Sequence, residues 1–134
     1  MRSLSLLLIA SALAACTTAP QAPMARSAEA EAKLERLLAG KAAGTPMSCL
    51  PTWRSGNMVT IDDHTILFRD GANRIYRNDL RADCPRIGTG HYTLVTRTTG
   101  SSLCSGDIAQ VVDLASGITV GSCVLGPFVP YTRS

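Results

Sequence analysis

Asp62-Asp63-His64 sets two carboxylates beside an imidazole, the groups from which acid–base and metal chemistry is made. With His91, the other histidine of the chain, Asp62 and His64 form the candidate ligand set of a metal-dependent enzyme. Consecutive residues in a tight turn cannot all converge on one ion, however, and aspartates favour turns by accepting backbone N–H bonds. The run is therefore expected to be a turn between Ile61 and Ile66, holding neither metal nor cofactor.

A second candidate is the basic segment Arg69, Arg74, Arg77, Arg81 and Arg86. Planar guanidinium groups suit phosphate and carboxylate, so these arginines are a candidate site for an anionic envelope polymer, such as lipopolysaccharide phosphate or peptidoglycan carboxylate. Asp70, Asp79 and Asp83 alternate with them, and mixed signs along a segment mark a solvated surface, which is the preferred reading. No Gly-x-Ser-x-Gly elbow is present, and Ser105-Gly106-Asp107 beside Cys104 reads as a turn into a strand. No catalytic residue is assigned, and an enzyme is not expected.

The third chemistry is that of cysteine. Leu13-Ala14-Ala15-Cys16 follows a charged Arg2 and an apolar stretch from Leu4 to Leu13, the pattern of a leader peptide ending in a lipobox. That stretch is shorter than the roughly 20 residues a spanning helix needs. Cleavage before Cys16, with a diacylglyceryl group on its sulfur and an acyl chain such as palmitate on its amine, would anchor the chain in a membrane. At ~0.8 kcal/mol per buried methylene such an anchor is effectively permanent. Thr17, rather than an aspartate, stands next to it, compatible with the outer membrane.

Cys49, Cys84, Cys104 and Cys123 remain, an even set suited to an oxidising compartment such as the periplasm. None stands in a C-x₂₋₄-C pair, so two disulfides are expected in preference to zinc. Three pairings are open. The last hairpin favours Cys104 with Cys123, which leaves Cys49 with Cys84.

The elements that must position these groups follow from pattern. Removing residues 1–15 from the 134 leaves 119, enough for one small domain, and takes the net charge from +3 to +2. That balance points to no particular partner, and without a basic tract interleaved with aromatics nucleic acid has no support. Residues 16–26, with Pro20 and Pro23, read as a tether. A helix is expected over 27–40: Glu29 and Glu31 come early, Lys33 and Arg36 late, and Gly40 stops it. Its stripe Ala30, Leu34, Leu37 and Leu38 is expected to pack on the domain.

From 46 to 134 the character is β, with strands expected over 58–61, 65–69, 74–77, 92–97, 108–113 and 118–124, and hairpin turns at Asp70-Gly71 and Ser116-Gly117. Tyr92, Leu94 and Thr96, followed by Ile108 and Val112, would share the apolar face. The ending Gly126-Pro127-Phe128-Val129-Pro130 is expected to be an edge or wrapping tail. The fold class is thus mainly β, a small antiparallel sandwich or barrel-like domain stapled by two disulfides and preceded by a short N-terminal helix.

Cys49, IDDHTILF at 61–68, RIYRNDLRADCPRIG at 74–88, LCSGDIAQVVD at 103–113 and GSCVLGPFVP at 121–130 together resemble a family of small uncharacterised proteobacterial envelope lipoproteins, a domain of unknown function with four spaced cysteines. The resemblance covers about two thirds of the chain and implies a fold rather than an activity. Where those relatives carry Gly-Leu after the second cysteine, this chain has Pro85, Arg86 and Ile87. The expected role is a non-catalytic binding or structural module of the cell envelope, lipid-anchored and facing the periplasm. Its partners would be the membrane and an envelope protein or anionic polymer. The alternative, by analogy of size and location, is a periplasmic inhibitor of a cell-wall hydrolase.

Overall fold

A computed structural model describes residues 25–134. The expected leader, Cys16 and the tether as far as residue 24 lie outside the described residues. Helix α1 (Ala28–Leu38) begins where Ser27 Oγ accepts the N–H of Ala30, and Gly40 beyond its end takes φ +69°, which glycine adopts without strain. Ten strands follow: β1 (Ala42–Ala43), β2 (Cys49–Pro51), β3 (Met58–Thr60), β4 (Thr65–Asp70), β5 (Arg74–Asp79), β6 (Tyr92–Thr96), β7 (Ser102–Cys104), β8 (Ile108–Asp113), β9 (Thr119–Val124) and β10 (Phe128–Thr132). Among the described residues no helix is long and apolar enough to cross a membrane.

All strand pairs are antiparallel. The strands form a five-stranded sheet in the order β1-β10-β5-β4-β3, a two-stranded β2-β7 ribbon and a three-stranded β6-β8-β9 sheet. The fold is the mainly β, disulfide-stapled antiparallel architecture expected, with its helix at the N-terminal side. The six expected strands are present, and both anticipated turns are hairpins with Gly71 and Gly117 at φ +70°.

The core has two layers. Ile66, Phe68, Tyr76 and Phe128 project from the five-stranded sheet onto Leu94, Ala109, Val111 and Cys123 of the three-stranded sheet and Leu50 and Leu103 of the ribbon. On the opposite face Leu67 and Ile75, with Ile61, bury against Ala30 and Leu34 of α1, flanked by Leu37 and Leu38. The helical stripe thus packs on the domain, and β4 is buried on both faces as its run Thr65-Ile-Leu-Phe68 suggests.

Three expectations are corrected. The disulfides join Cys49 to Cys104 and Cys84 to Cys123, not Cys104 to Cys123 and Cys49 to Cys84. The reason is the unforeseen β2-β7 ribbon, whose register sets Cys49 directly opposite Cys104. Second, the C-terminal segment is an interior strand: β10 lies between β1 and β5. Pro130 is tolerated because its backbone points away from β5, its carbonyl accepting the N–H of Gly44 at 2.7 Å, so the missing N–H costs no bond to β5. Third, β8 is turned by one residue: Ala109 and Val111 face inward while Ile108 is 62% exposed. Cys123, fixed inside by its bond to Cys84 and paired with Ala109, sets which face of β8 is buried.

Asn78 shows how a polar side chain enters this core. It is fully buried, and its amide gives Nδ2–H to Gly126 O at 2.7 Å and accepts Gly126 N–H at 2.9 Å, standing in for a missing strand. A Cβ on Gly126 would overlap the Asp79 carbonyl, so that position has room only for glycine.

Candidate functional site

The Asp62-Asp63-His64 run is the turn between β3 and β4, and its polar groups are consumed holding other segments. Asp62 Oδ1 accepts the N–H groups of His64 and Thr65 at 2.8 Å each, while its Oδ2 takes Arg26 Nε–H. Arg26 also reaches Glu31 and Thr65 Oγ1, and Thr65 in turn donates to Asp79. Burial pushes the Asp62 carboxyl up, but the Arg26 hydrogen bond and charge and the two N–H groups outweigh it and hold the group below its ordinary 3.8.

Asp63 binds the following crossing loop, accepting Arg86 N–H and Gly88 N–H, while its carbonyl takes the N–H of Cys84. Those bonds hold Arg86 at φ +79°, a left-handed conformation uncommon outside glycine. His64 Nδ1 lies 2.9 Å from Asp83 Oδ1. An open pocket of about 300 Å³ lies over this cluster, lined by Arg26, Ser27, Ile61, Asp62, Asp63, His64, Gly88 and Thr89. His91 is elsewhere, at the start of β6, where its carbonyl accepts Leu114 N–H. Among the described residues no three His, Cys, Asp or Glu side chains are grouped to hold a metal ion.

The five arginines are dispersed. Arg69 is exposed on β4, Arg74 pairs with Asp70 across the β4-β5 hairpin, and Arg77 donates to Asp79 at 3.0 Å. Arg81 reaches Ser105 Oγ, and Arg86 sits in the crossing loop. Trp53 lies in a short 3-10 turn, 71% exposed, with the Arg54 guanidinium 4.3 Å over its ring. Arg54 continues to Tyr76 Oη at 2.6 Å, closing the end of the inter-sheet core.

The surface that stands apart is the outer face of the three-stranded sheet. The register places Val95 of β6, Ile108, Gln110 and Val112 of β8, and Ser122 and Val124 of β9 on that side, with no charged side chain among them. The β8-β9 hairpin extends the apolar area through Leu114 and Ile118, 62% and 63% exposed. Its turn is preformed: Asp113 accepts the N–H groups of Ala115 and Ser116 and the Ser116 hydroxyl. The Ser116 donors, then Ala115 N–H and the nearby His91, hold the exposed Asp113 carboxyl below 3.8.

Beside this sheet, a cleft of about 200 Å³ between β3 and β6 has an apolar floor including Met58, Phe68, Leu94 and Leu125 and a rim of Ser55, Thr93 and Thr96. Alternation along the strand conceals this bare face, because it places Ile108 and Val112 in the core, whereas Ala109 and Val111 are the buried pair. The available signal was charge: no charged residue occurs from Leu114 to Thr132, nor in Tyr92–Thr96 or Ile108–Val112. Against known protein families, curated proteins and solved structures, the chain finds no match.

Proposed function

We propose that the chain is the precursor of a bacterial lipoprotein, cleaved before Cys16 and lipidated there, whose β domain serves as a non-catalytic binding module on the periplasmic side of the outer membrane. The lipobox supports the address, and the outer face of the three-stranded sheet, charge-free and uncovered among the described residues, supports the role. Exposed aliphatic groups on a contiguous sheet face suit contact with another protein surface, whereas the carboxylates of the Asp62-Asp63 turn are already spent on the fold.

The stretch from Cys16 to Arg26 spans at most about 35 Å when extended, and Arg26 is pinned to Asp62. The domain therefore works close to the bilayer. Palmitate labelling tests the address: the wild-type chain takes up label and stays with membranes, and Cys16→Ser loses both. Crosslinking in intact envelopes tests the role. Capture of one protein at stoichiometric yield, abolished by Ile108→Lys, is the expected result, and adducts confined to lipid or glycan would defeat it.

The preformed hairpin at Asp113–Ile118 favours a second reading, insertion of its apolar tip into the cleft of a cell-wall hydrolase, because a rigid loop binds with little ordering cost. Unchanged turnover of lysozyme-type enzymes with excess domain would discard it.

A further inference from the structure

The β8-β9 hairpin projects from the domain, every residue from Leu114 to Ser122 being exposed. Water satisfies the backbone of an ordinary exposed turn, but here each N–H from Asp113 to Ile118 has a partner inside the chain. Asp113 N–H goes to Ile118 O and Leu114 N–H to His91 O, those of Ala115 and Ser116 to Asp113 Oδ1, that of Gly117 to Asp113 O and that of Ile118 to Ser116 Oγ. A turn whose donors are all satisfied internally can leave water without stranding one of them, the condition for entering a low-polarity layer. Its side chains suit such a layer: Leu114 and Ile118 are the large ones, with Ala115 and Gly117 between them. Asp113 at the base carries the only charge of the turn, and its Oδ1 is turned back onto three donors.

The position of the tip identifies the layer. Arg26, where the chain from Cys16 reaches the domain, is bound to Asp62 in the turn before β4. Asp63 beside it accepts Gly88 N–H, and from Gly88 the chain runs at most about 11 Å to His91. His91 O takes Leu114 N–H at 3.0 Å. The end of the tether and the apolar tip thus lie at the same end of the domain. Arg86, exposed in the loop between them, adds a guanidinium suited to lipid phosphate. Trp53, also exposed, is at the opposite end: Arg54 over its ring pairs with Asp70, the last residue of β4, whereas Arg26 reaches Thr65, the first.

We infer that the tip Leu114–Ile118 rests in the interfacial layer of the phospholipid bilayer that holds the Cys16 anchor, so that the domain stands on the membrane by tether and tip together. The inference rests on the reading of Cys16 as lipidated. An apolar patch this small does not hold a free protein on a membrane. Joined to an anchor within about 35 Å, it meets the bilayer at high effective concentration and sets the orientation of the domain. Ile108 begins β8 and Asp113 ends it, so at about 3.3 Å per residue Ile108 stands clear of a layer entered to about 5–10 Å. The open sheet face thereby stays free for a partner.

The full lipidated chain in vesicles of phosphatidylethanolamine and phosphatidylglycerol supplies the test through tryptophan, which leaves the disulfides untouched. In Ile118→Trp combined with Trp53→Phe, emission is expected to shift to the blue and to lose about half its intensity to acyl chains brominated near the headgroup, as for a group seated about 5–10 Å into the interface. Trp53 of the wild-type chain should stay unquenched, and adding Leu114→Glu to the first variant should abolish its quenching. Equal or stronger quenching of Trp53, or none at position 118, overturns the inference. Because tryptophan itself favours interfaces, a photoreactive side chain at Leu114 or at Ile108, in native envelopes, asks the same question without it. Phospholipid adducts at 114 and none at 108 support the tip contact, and equal lipid yields at both positions overturn it. An adduct at 114 only to a protein also overturns it and gives the tip to a protein partner. A chain that takes up no palmitate and leaves the membrane fraction removes the anchor and the tip contact together, whereas an anchored chain with no lipid adduct at 114 removes the tip contact alone.

Discussion

The five-stranded sheet buries both of its faces and the three-stranded sheet only one. In the first, α1 covers Leu67 and Ile75 from outside while the inter-sheet core covers Phe68 and Tyr76 from inside. In the second, Leu94, Ala109 and Val111 are covered, while Val95 and Ile108 across the same strands stay open to solvent. Both sheets are rich in β-branched and aliphatic residues, so strand composition alone does not separate them. Among the described residues, what separates them is the presence of an amphipathic helix with a stripe to match one sheet and of no such element to match the other.

The Cys84–Cys123 link is where the comparison can be broken most severely, because it fastens the loop after β5 to β9 across a separation of 39 residues. Replacing both cysteines with alanine is expected to cost about 4 kcal/mol from loop closure, read as a lower urea midpoint. Hydrogen exchange should then show the three-stranded sheet opening before β4 and β5. Equal loss of protection in both sheets would mean that they fold as one inseparable unit.

Leu34→Ala attacks the other side. Leu34 is 4% exposed and lies against the sheet with Ile61, Leu67 and Ile75. A cost of about 3 kcal/mol is expected for a buried leucine of this kind, with exchange raised in α1 and along β4. A change below about 0.5 kcal/mol, the range of ordinary surface substitutions, would show that the helix is only loosely seated.

The helix is also latched at its start by Arg26 on Asp62, and this sharpens the comparison through pH. Asp62→Ala leaves a guanidinium and two N–H groups short of an acceptor and is expected to cost about 2 kcal/mol at neutral pH. Because the folded carboxyl is held below 3.8, its contribution is present above that value and lost as the pH falls through the folded value. Acid titration of the two proteins should therefore give stability curves that run apart at neutral pH and converge below 3.8. A gap that persists unchanged into stronger acid would mean that Asp62 acts through packing rather than charge.

How far these features were legible depends on how local their causes are. Ser27, Gly40 and the spacing of Ala30, Leu34 and Leu37 announce α1, and Asp70-Gly71 announces the first hairpin, because each signal lies within a few residues of what it controls. The ribbon β2-β7 is three residues on each side, joined across 55 positions, and neither strand carries enough pattern to be seen alone. Without that ribbon, proximity along the last hairpin favours Cys104 with Cys123; with it, Cys49 stands opposite Cys104.

The strand Ile108–Asp113 holds apolar residues on both faces, so alternation leaves its orientation undecided, and the choice is made by the distant bond from Cys123 to Cys84. The candidate surface was hidden for the same reason. Its charge-free character is written in the sequence, but whether a helix covers it is a property of the whole fold.

The smallest effect on stability belongs to the substitution that matters most for the proposed role. Ile108→Lys places an ammonium on the open face, where a long side chain reaches water without displacing any packed neighbour. Its effect on unfolding should stay within about 0.5 kcal/mol, in contrast to the roughly sixfold larger cost at Leu34. Binding should respond in the opposite order: crosslinking to the proposed partner is expected to be lost in Ile108→Lys and retained in Leu34→Ala under conditions where that variant is folded. Loss of stability at Ile108 comparable to that at Leu34 would mean that the outer face is packed in the working protein by part of the same chain. Unchanged stability together with unchanged capture would remove the face from the binding role, leaving the hairpin tip, through Leu114 and Ile118, as the next surface to alter.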